Sequence, residues 1–194
     1  MNYTLITGAS RGIGYELAVQ FAKQGHNLVL VSRDESKLNL VSGFLENTYR
    51  IKTLIIPCDL SLPGAADDVY EKVLERGFKV DYVVNNAGFY VSGDFSETSW
   101  DAEQKLIQLQ CIVHTRLIKL FLPEMISRGR GGILNVASTG SFVPVPAPAP
   151  KTGDQDGRED RKRSITRYLD HGEIQWNIQT KHFQNHFFRD KVPG

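Results

Sequence analysis

Eight residues near the amino terminus, Thr7-Gly8-Ala9-Ser10-Arg11-Gly12-Ile13-Gly14, carry glycines at a spacing suited to holding a phosphate. They follow the apolar run Tyr3-Thr4-Leu5-Ile6 and open an amphipathic segment, so a strand, a glycine turn and a helix start are predicted. Each glycine has its own task in such a turn. Gly8 permits the sharp bend, Gly12 clears space where the backbone approaches a pyrophosphate, and Gly14 lets the helix pack against its strand. The helix N-terminus then presents free N–H groups and the positive end of its dipole to the anion. Spaced glycines alone are weak evidence, and the remaining chain has to supply the context.

Four further polar clusters follow β-prone runs: Ser32-Arg33, Cys58-Asp59-Leu60, Asn85-Asn86-Ala87-Gly88 and Ser138-Thr139. The elements that would position them alternate in type. Ile13, Leu17 and Phe21 recur at helical spacing before a stop at Gly25, and residues 26–32 form a nearly continuous apolar strand. Leu38, Val41 and Leu45 mark a second helix, residues 52–58 a third strand, and Val69, Val73 and Leu74 a third helix ending at Gly77. A strand over residues 80–84 precedes a long helix that starts near Trp100, with Thr98 and Asp101 as a capping box and Pro123 as its end or kink. Residues 132–137 form a fifth strand. Strands alternating with helices imply an α/β fold, an open parallel sheet wound on both faces, whose ligands lie at the carboxyl ends of the strands. All five clusters fall at such ends.

The bulk composition narrows the function class. The 194 residues are 41% hydrophobic and 23% charged with a net charge of +1, ordinary for one soluble domain and without a global field for nucleic acid or an anionic membrane. A small-molecule substrate is the better expectation. Cys58 and Cys111 lie in apolar segments without metal-ligand spacing, which reads as free thiols in the cytoplasm. No apolar run approaches a membrane span of about 18 residues, and the first strand begins too early for a cleavable leader. His182 and His186 stand one helical turn apart, but no third ligand accompanies them, and no metal site is expected.

The clusters together resemble the short-chain dehydrogenase/reductase family over residues 1–149. The family's TGxxxGIG stands at Thr7 to Gly14, its aspartate after the third strand at Asp59, its NNAG at Asn85 to Gly88, and its serine strand as Asn135-Val136-Ala137-Ser138. The resemblance implies a Rossmann-type doubly wound sheet that binds a nicotinamide dinucleotide and transfers hydride to or from a carbonyl or alcohol. It assigns cofactor binding to Gly8, Ser10, Arg11, Gly12, Ile13, Gly14, Arg33, Asp59, Leu60, Asn86, Ala87 and Gly88. Ser138 would hydrogen-bond the substrate oxygen. Gln110 stands where family members carry an asparagine of a proton relay.

The end of the second strand selects the cofactor. An acidic side chain there binds the ribose hydroxyls of NAD, whereas an arginine pairs with an additional 2′-phosphate. Ser32 occupies the acidic position and Arg33 follows, with Arg11 as a second basic residue inside the glycine turn. NADP(H) is therefore expected.

The catalytic pattern departs from the family after residue 138. A tyrosine is implied thirteen residues beyond Ser138 and a lysine four further on, to lower the tyrosine pKa; those positions hold Lys151 and Gln155. None of the seven tyrosines has a lysine four residues later. Composition changes at the same place. Residues 151–194 contain nine Lys or Arg and seven Asp or Glu, one leucine, one valine and no alanine, unlike the apolar second half of a dinucleotide fold. Two regions are thus expected: a dinucleotide-binding domain over residues 1–149, C-terminally incomplete, and a divergent charged tail over 150–194 of the kind a frameshift produces. Impaired hydride transfer, a non-catalytic dinucleotide-binding module and a truncated product all remain open, as does a homo-oligomer.

Overall fold

In the computed structural model, which describes residues 2–137, the predicted alternation becomes five parallel strands and their crossover helices. The elements run β1 (Asn2–Thr7), α1 (Gly12–Lys23), β2 (Asn27–Ser32), α2 (Glu35–Tyr49), β3 (Thr53–Pro57), α3 (Ala65–Glu75) and β4 (Lys79–Asn85). A long helix follows as α4 (Trp100–Ile107), a π-helical turn (Gln108–Val113) and α5 (His114–Arg128), before β5 (Gly132–Asn135). Every adjacent pair in the order β3-β2-β1-β4-β5 is parallel. The strand order reverses direction between β1 and β4, which creates a crevice at their carboxyl ends.

Alternate residues of the strands feed two cores. Leu5, Val29, Val31 and Val83 face α3 and α5 through Val69, Val73, Leu117, Phe121 and Met125. Ile6, Leu28, Leu30 and Val84 face α1 and α2 through Ala18, Phe21, Leu38 and Leu45. Period-two alternation in strands buried on both sides is what makes them read as unbroken apolar runs. The chirality of each helix stop is also visible: Gly25 (φ +79°) and Gly77 (φ +65°) end α1 and α3 with backbone bonds back to Ala22 and Leu74.

Several local expectations need correction. Ile13 is 62% exposed, so the buried stripe of α1 runs through Gly14, Ala18, Phe21 and Ala22, and Leu74 of α3 likewise faces outward. Ser99, rather than Thr98, caps α4 by accepting the Ala102 N–H, while Thr98 donates to Glu103 Oε1 at 2.7 Å. Of the two outcomes expected at Pro123, the end of the helix does not occur there: α5 continues to Arg128, with Leu117, Phe121 and Met125 buried on both sides of the proline. β5 stops at Asn135 and β3 at Pro57, each shorter than the apolar run predicts. Cys58 and Cys111 are free and partly buried, and burial raises both thiol pKa values. Among the described residues no helix is long and apolar enough to cross a membrane, and no cluster of metal-ligating side chains forms. Ser138, Lys151, Gln155, His182, His186 and the charged tail lie outside the described residues.

Candidate functional site

The carboxyl ends of the five strands bring four of the sequence clusters to one edge. The glycine turn leans on β2, with Gly8 and Ala9 donating their N–H groups to the Val31 carbonyl at 2.8 and 3.3 Å. Ser10 Oγ and Ser32 Oγ share a hydrogen bond of 2.8 Å, which ties the turn to the end of β2 just before Arg33. Arg11 and Arg33 are both exposed at this edge. Cys58 N–H donates to the Ser32 carbonyl at 2.9 Å and so carries the next cluster alongside.

The three glycines divide their work differently from the simple expectation. Gly8 adopts φ +69°, and a Cβ there would press on Asn86 Nδ2 and Ala87 Cα at 2.8 and 3.0 Å. Gly14 has no room at all, because a Cβ would overlap the Gly8 carbonyl; it packs on the turn and on Asn86 rather than on a strand. Gly12 is the opposite case. Its φ is +56°, yet nothing lies within 4 Å of where a Cβ would stand. Here the missing side chain leaves open space beside the start of α1, whose first N–H groups receive no side-chain cap and no acidic residue. Unsatisfied donors around an open cradle suit a phosphate group.

Beneath the turn lies a polar hub that the sequence reading did not single out. Thr7 is fully buried, and its Oγ1 accepts the N–H groups of Asn86 and Ala87 at 2.9 Å each while donating to the Val84 carbonyl at 3.2 Å. Asn86 Nδ2 returns a bond to the Thr7 carbonyl at 2.9 Å. One hydroxyl thereby welds the end of β1 to the turn after β4. The available signal was a threonine, able both to donate and to accept, placed directly before the first glycine at a strand end.

Asp59 is organised for an ionised state. Burial acts to raise its carboxyl, but hydrogen bonds from Ser61 N–H (3.0 Å) and Ser61 Oγ (2.7 Å) outweigh it, with Arg33 and Lys105 adding attraction, and the pKa falls below the ordinary carboxylate value. Leu60 buries its side chain in the core at 4% exposure, so it can offer a ligand only its backbone. Ala87 is half-buried and Gly88 exposed after β4. Gln110 lies within the π-helical turn, and its Nε2 donates to the Phe89 carbonyl at 3.1 Å, next to Gly88. Such single π turns inside α-helices recur at functional sites.

Asn85 completes the edge from below. Its Nδ2 donates to Asn135 Oδ1 at 2.9 Å and to the His114 carbonyl at 3.3 Å, which fixes the ends of β4 and β5 to the start of α5. His114 was also missed by the sequence reading, because a histidine within an apolar helix carries no pattern of its own. Burial lowers its pKa from 6.5 to about 4, against a smaller upward push from a hydrogen bond to the Ala87 backbone.

Comparison with known proteins places this arrangement. A family model described as short chain dehydrogenase matches residues 2–150. The very-long-chain 3-oxoacyl-CoA reductase of Pyrenophora tritici-repentis is 37% identical over 157 residues, covering 79% of this chain and 46% of that protein. The Homo sapiens protein of the same description is 31% identical over 152 residues, covering 74% and 47%. The chain thus spans about half the length of these relatives. Among solved structures, a short-chain dehydrogenase from Sphingobium yanoikuyae in complex with NADPH superposes with a TM-score of 0.69 at 33% identity, covering 74% of this chain and 56% of that one. L-Sorbose reductase from Gluconobacter frateurii, complexed with NADPH and L-sorbose, gives 0.71 at 31% identity, covering 76% and 56%.

Proposed function

The chain belongs to the short-chain dehydrogenase family, and on that premise we propose that residues 1–149 bind NADP(H) and descend from an oxidoreductase acting on a carbonyl or alcohol. The observation that carries this reading is the glycine cradle at Gly12, open to an anion and flanked by Arg11 within the turn and Arg33 beyond Ser32. The residues fit the cofactor. Gly8, Ser10, Gly12, Ile13 and Gly14 would hold the pyrophosphate, Arg11 and Arg33 would pair with an additional 2′-phosphate, Asp59 and Leu60 would meet the adenine, and Asn86, Ala87 and Gly88 would line the cofactor. Bound NADP(H) supplies or accepts the hydride. The exposed guanidinium groups favour the additional phosphate over a bare ribose diol, since an arginine fork pairs with phosphate in a bidentate manner.

Turnover is proposed to be impaired in this chain. Lys151 and Gln155 stand where the general acid and its lysine partner are needed, so Ser138 and Gln110 lack the group that would exchange a proton with the substrate oxygen. Two relatives described as NADPH complexes support the choice of cofactor, and the reductase relatives support the carbonyl chemistry of the ancestor. Calorimetric titration of the full chain with NADPH and NADH is the deciding measurement. Tighter binding of NADPH is expected; tighter binding of NADH overturns the assignment. Turnover on a panel of ketones that Ser138→Ala abolishes would overturn the proposal of impaired catalysis.

A further inference from the structure

The turn that follows β3 is fixed along its length by the backbone and by the core. Cys58 N–H donates to the Ser32 carbonyl at 2.9 Å, the Leu60 side chain is buried in the core, and Leu62 N–H donates to the Asp59 carbonyl at 3.1 Å. The Asp59 side chain is held separately. Its Oδ1 accepts the Ser61 N–H at 3.0 Å and the Ser61 Oγ hydroxyl at 2.7 Å. Ser61 is itself only 9% exposed, whereas Asp59 is half-buried at the strand-end edge.

Both donors engage the same oxygen. Oδ1 thereby has its two lone pairs occupied, and among the described residues no hydrogen bond is made to Oδ2. One oxygen anchors the carboxyl group and the other is left to receive a donor. The bond from the backbone alone fixes a distance and leaves the carboxylate plane free to tilt about its Cβ–Cγ bond. The bond from the hydroxyl removes that freedom, and its 2.7 Å length is that of a charge-assisted pair. The same two bonds favour the ionised carboxylate, which accepts hydrogen bonds and cannot donate them. An adenine ring offers such an acceptor one donor, its 6-amino group.

We infer that Ser61 is a positioning residue of the dinucleotide site: its hydroxyl holds Asp59 Oδ1 and so leaves Oδ2 aimed to accept the adenine 6-amino group. This rests on the NADP(H) reading of the preceding subsection. Ser61 touches no cofactor atom in this account and acts through Asp59. Its hydroxyl takes no part in the backbone bonds of the turn, so removing it releases the carboxylate and leaves the turn in place. Recognition of the base, rather than the fold, depends on it.

The test uses the full chain, with affinity measured for NADPH and for the NADPH analogue whose purine carries hydrogen in place of the 6-amino group. The unaltered protein is expected to prefer NADPH about tenfold, the worth of one hydrogen bond to a charged acceptor. Ser61→Ala is expected to bind NADPH about three- to fivefold more weakly while its affinity for the analogue stays unchanged, and Ser61→Thr, which restores the hydroxyl, to recover the preference. Added to Asp59→Ala, which leaves no carboxylate to position, Ser61→Ala is expected to change neither affinity further. A turn that merely loosened would weaken both ligands alike. Equal weakening for the two ligands or native NADPH affinity in Ser61→Ala would overturn the inference. So would equal binding of the two ligands by the unaltered protein, a readout that needs no variant to fold. A native chain that binds neither dinucleotide overturns the cofactor reading itself, a result distinct from native binding that is indifferent to Ser61.

Discussion

Thr7 and Asn86 hold each other through reciprocal bonds: Thr7 Oγ1 accepts the Asn86 N–H, and Asn86 Nδ2 donates to the Thr7 carbonyl, both at 2.9 Å. The pair sits where the order of the parallel sheet reverses, and it makes the glycine turn and the loop after β4 one rigid body. Removing the hydroxyl leaves two buried N–H groups and one carbonyl without their partner. Thr7→Val is expected to cost about 2–4 kcal/mol of stability, whereas Thr7→Ser, which keeps the hydroxyl, costs about 1 kcal/mol. Urea unfolding followed by circular dichroism measures both, and equal losses would show that the methyl group rather than the hydroxyl matters.

Gly12 and Gly14 should respond to alanine in opposite ways. Gly14→Ala drives a methyl group into the Gly8 carbonyl and toward Asn86 Nδ2, so the turn must move and stability falls by several kcal/mol, on the order of an overpacked core. Gly12→Ala has open space and pays only for its positive φ, about 1–2 kcal/mol. Its larger effect is expected on NADPH binding, because the methyl group enters the cradle. Melting temperature and NADPH titration, compared for the two variants, separate an effect on packing from an effect on binding.

The basic residues at the strand ends should decide between dinucleotides. Arg33→Ala is expected to weaken NADPH binding about 10- to 100-fold, the loss of a charge-assisted pair, while leaving NADH affinity within a factor of about three. Ser32→Asp combined with Arg33→Ala restores the acidic position and should favour NADH. Parallel titrations check this; an equal loss for both cofactors would assign Arg33 to a contact other than the 2′-phosphate.

His114 should make the fold sensitive to acid. Burial holds its pKa at about 4 in the folded protein, below the ordinary value of 6.5, so the unfolded chain takes up the proton first. Stability from this group is complete above pH 6.5 and falls as the pH drops toward 4, by about 3 kcal/mol in total. Asp59, with its lowered pKa, contributes in the same direction at lower pH. The informative quantity is thus the difference in pH slope between native protein and His114→Asn between pH 6.5 and 4.5. Identical slopes would show that the imidazole is not buried neutral.

Much of the architecture was legible because the chain repeats one local rule. Val29, Leu30 and Val31 are apolar on consecutive positions, which only a strand covered on both faces requires, and Gly25 and Gly77 mark helix stops that need a positive φ. The placing of the glycine turn, Arg33, Asp59 and the Asn86-Ala87-Gly88 segment just after the carboxyl ends of β1, β2, β3 and β4 was legible as well, since each cluster directly follows a β-prone run. Helix N-termini were harder: Ser99 and Thr98 are adjacent hydroxyl residues with equal capping capacity, and only the docking of Thr98 on Glu103 decides between them.

What the sequence determined by itself is the order of elements and the placing of polar clusters at strand ends, because periodicity and turn chemistry are local properties of the chain. Tertiary structure alone decided that Ile13 faces outward, that α5 continues through Pro123, and that a π turn breaks the register before His114. It also decided that Thr7 bonds Asn86 and that the His114 carbonyl accepts Asn85 Nδ2. Those pairs are separated by 79 and 29 positions, and no local preference can report a hydrogen bond whose partner arrives only when parallel strands close the sheet.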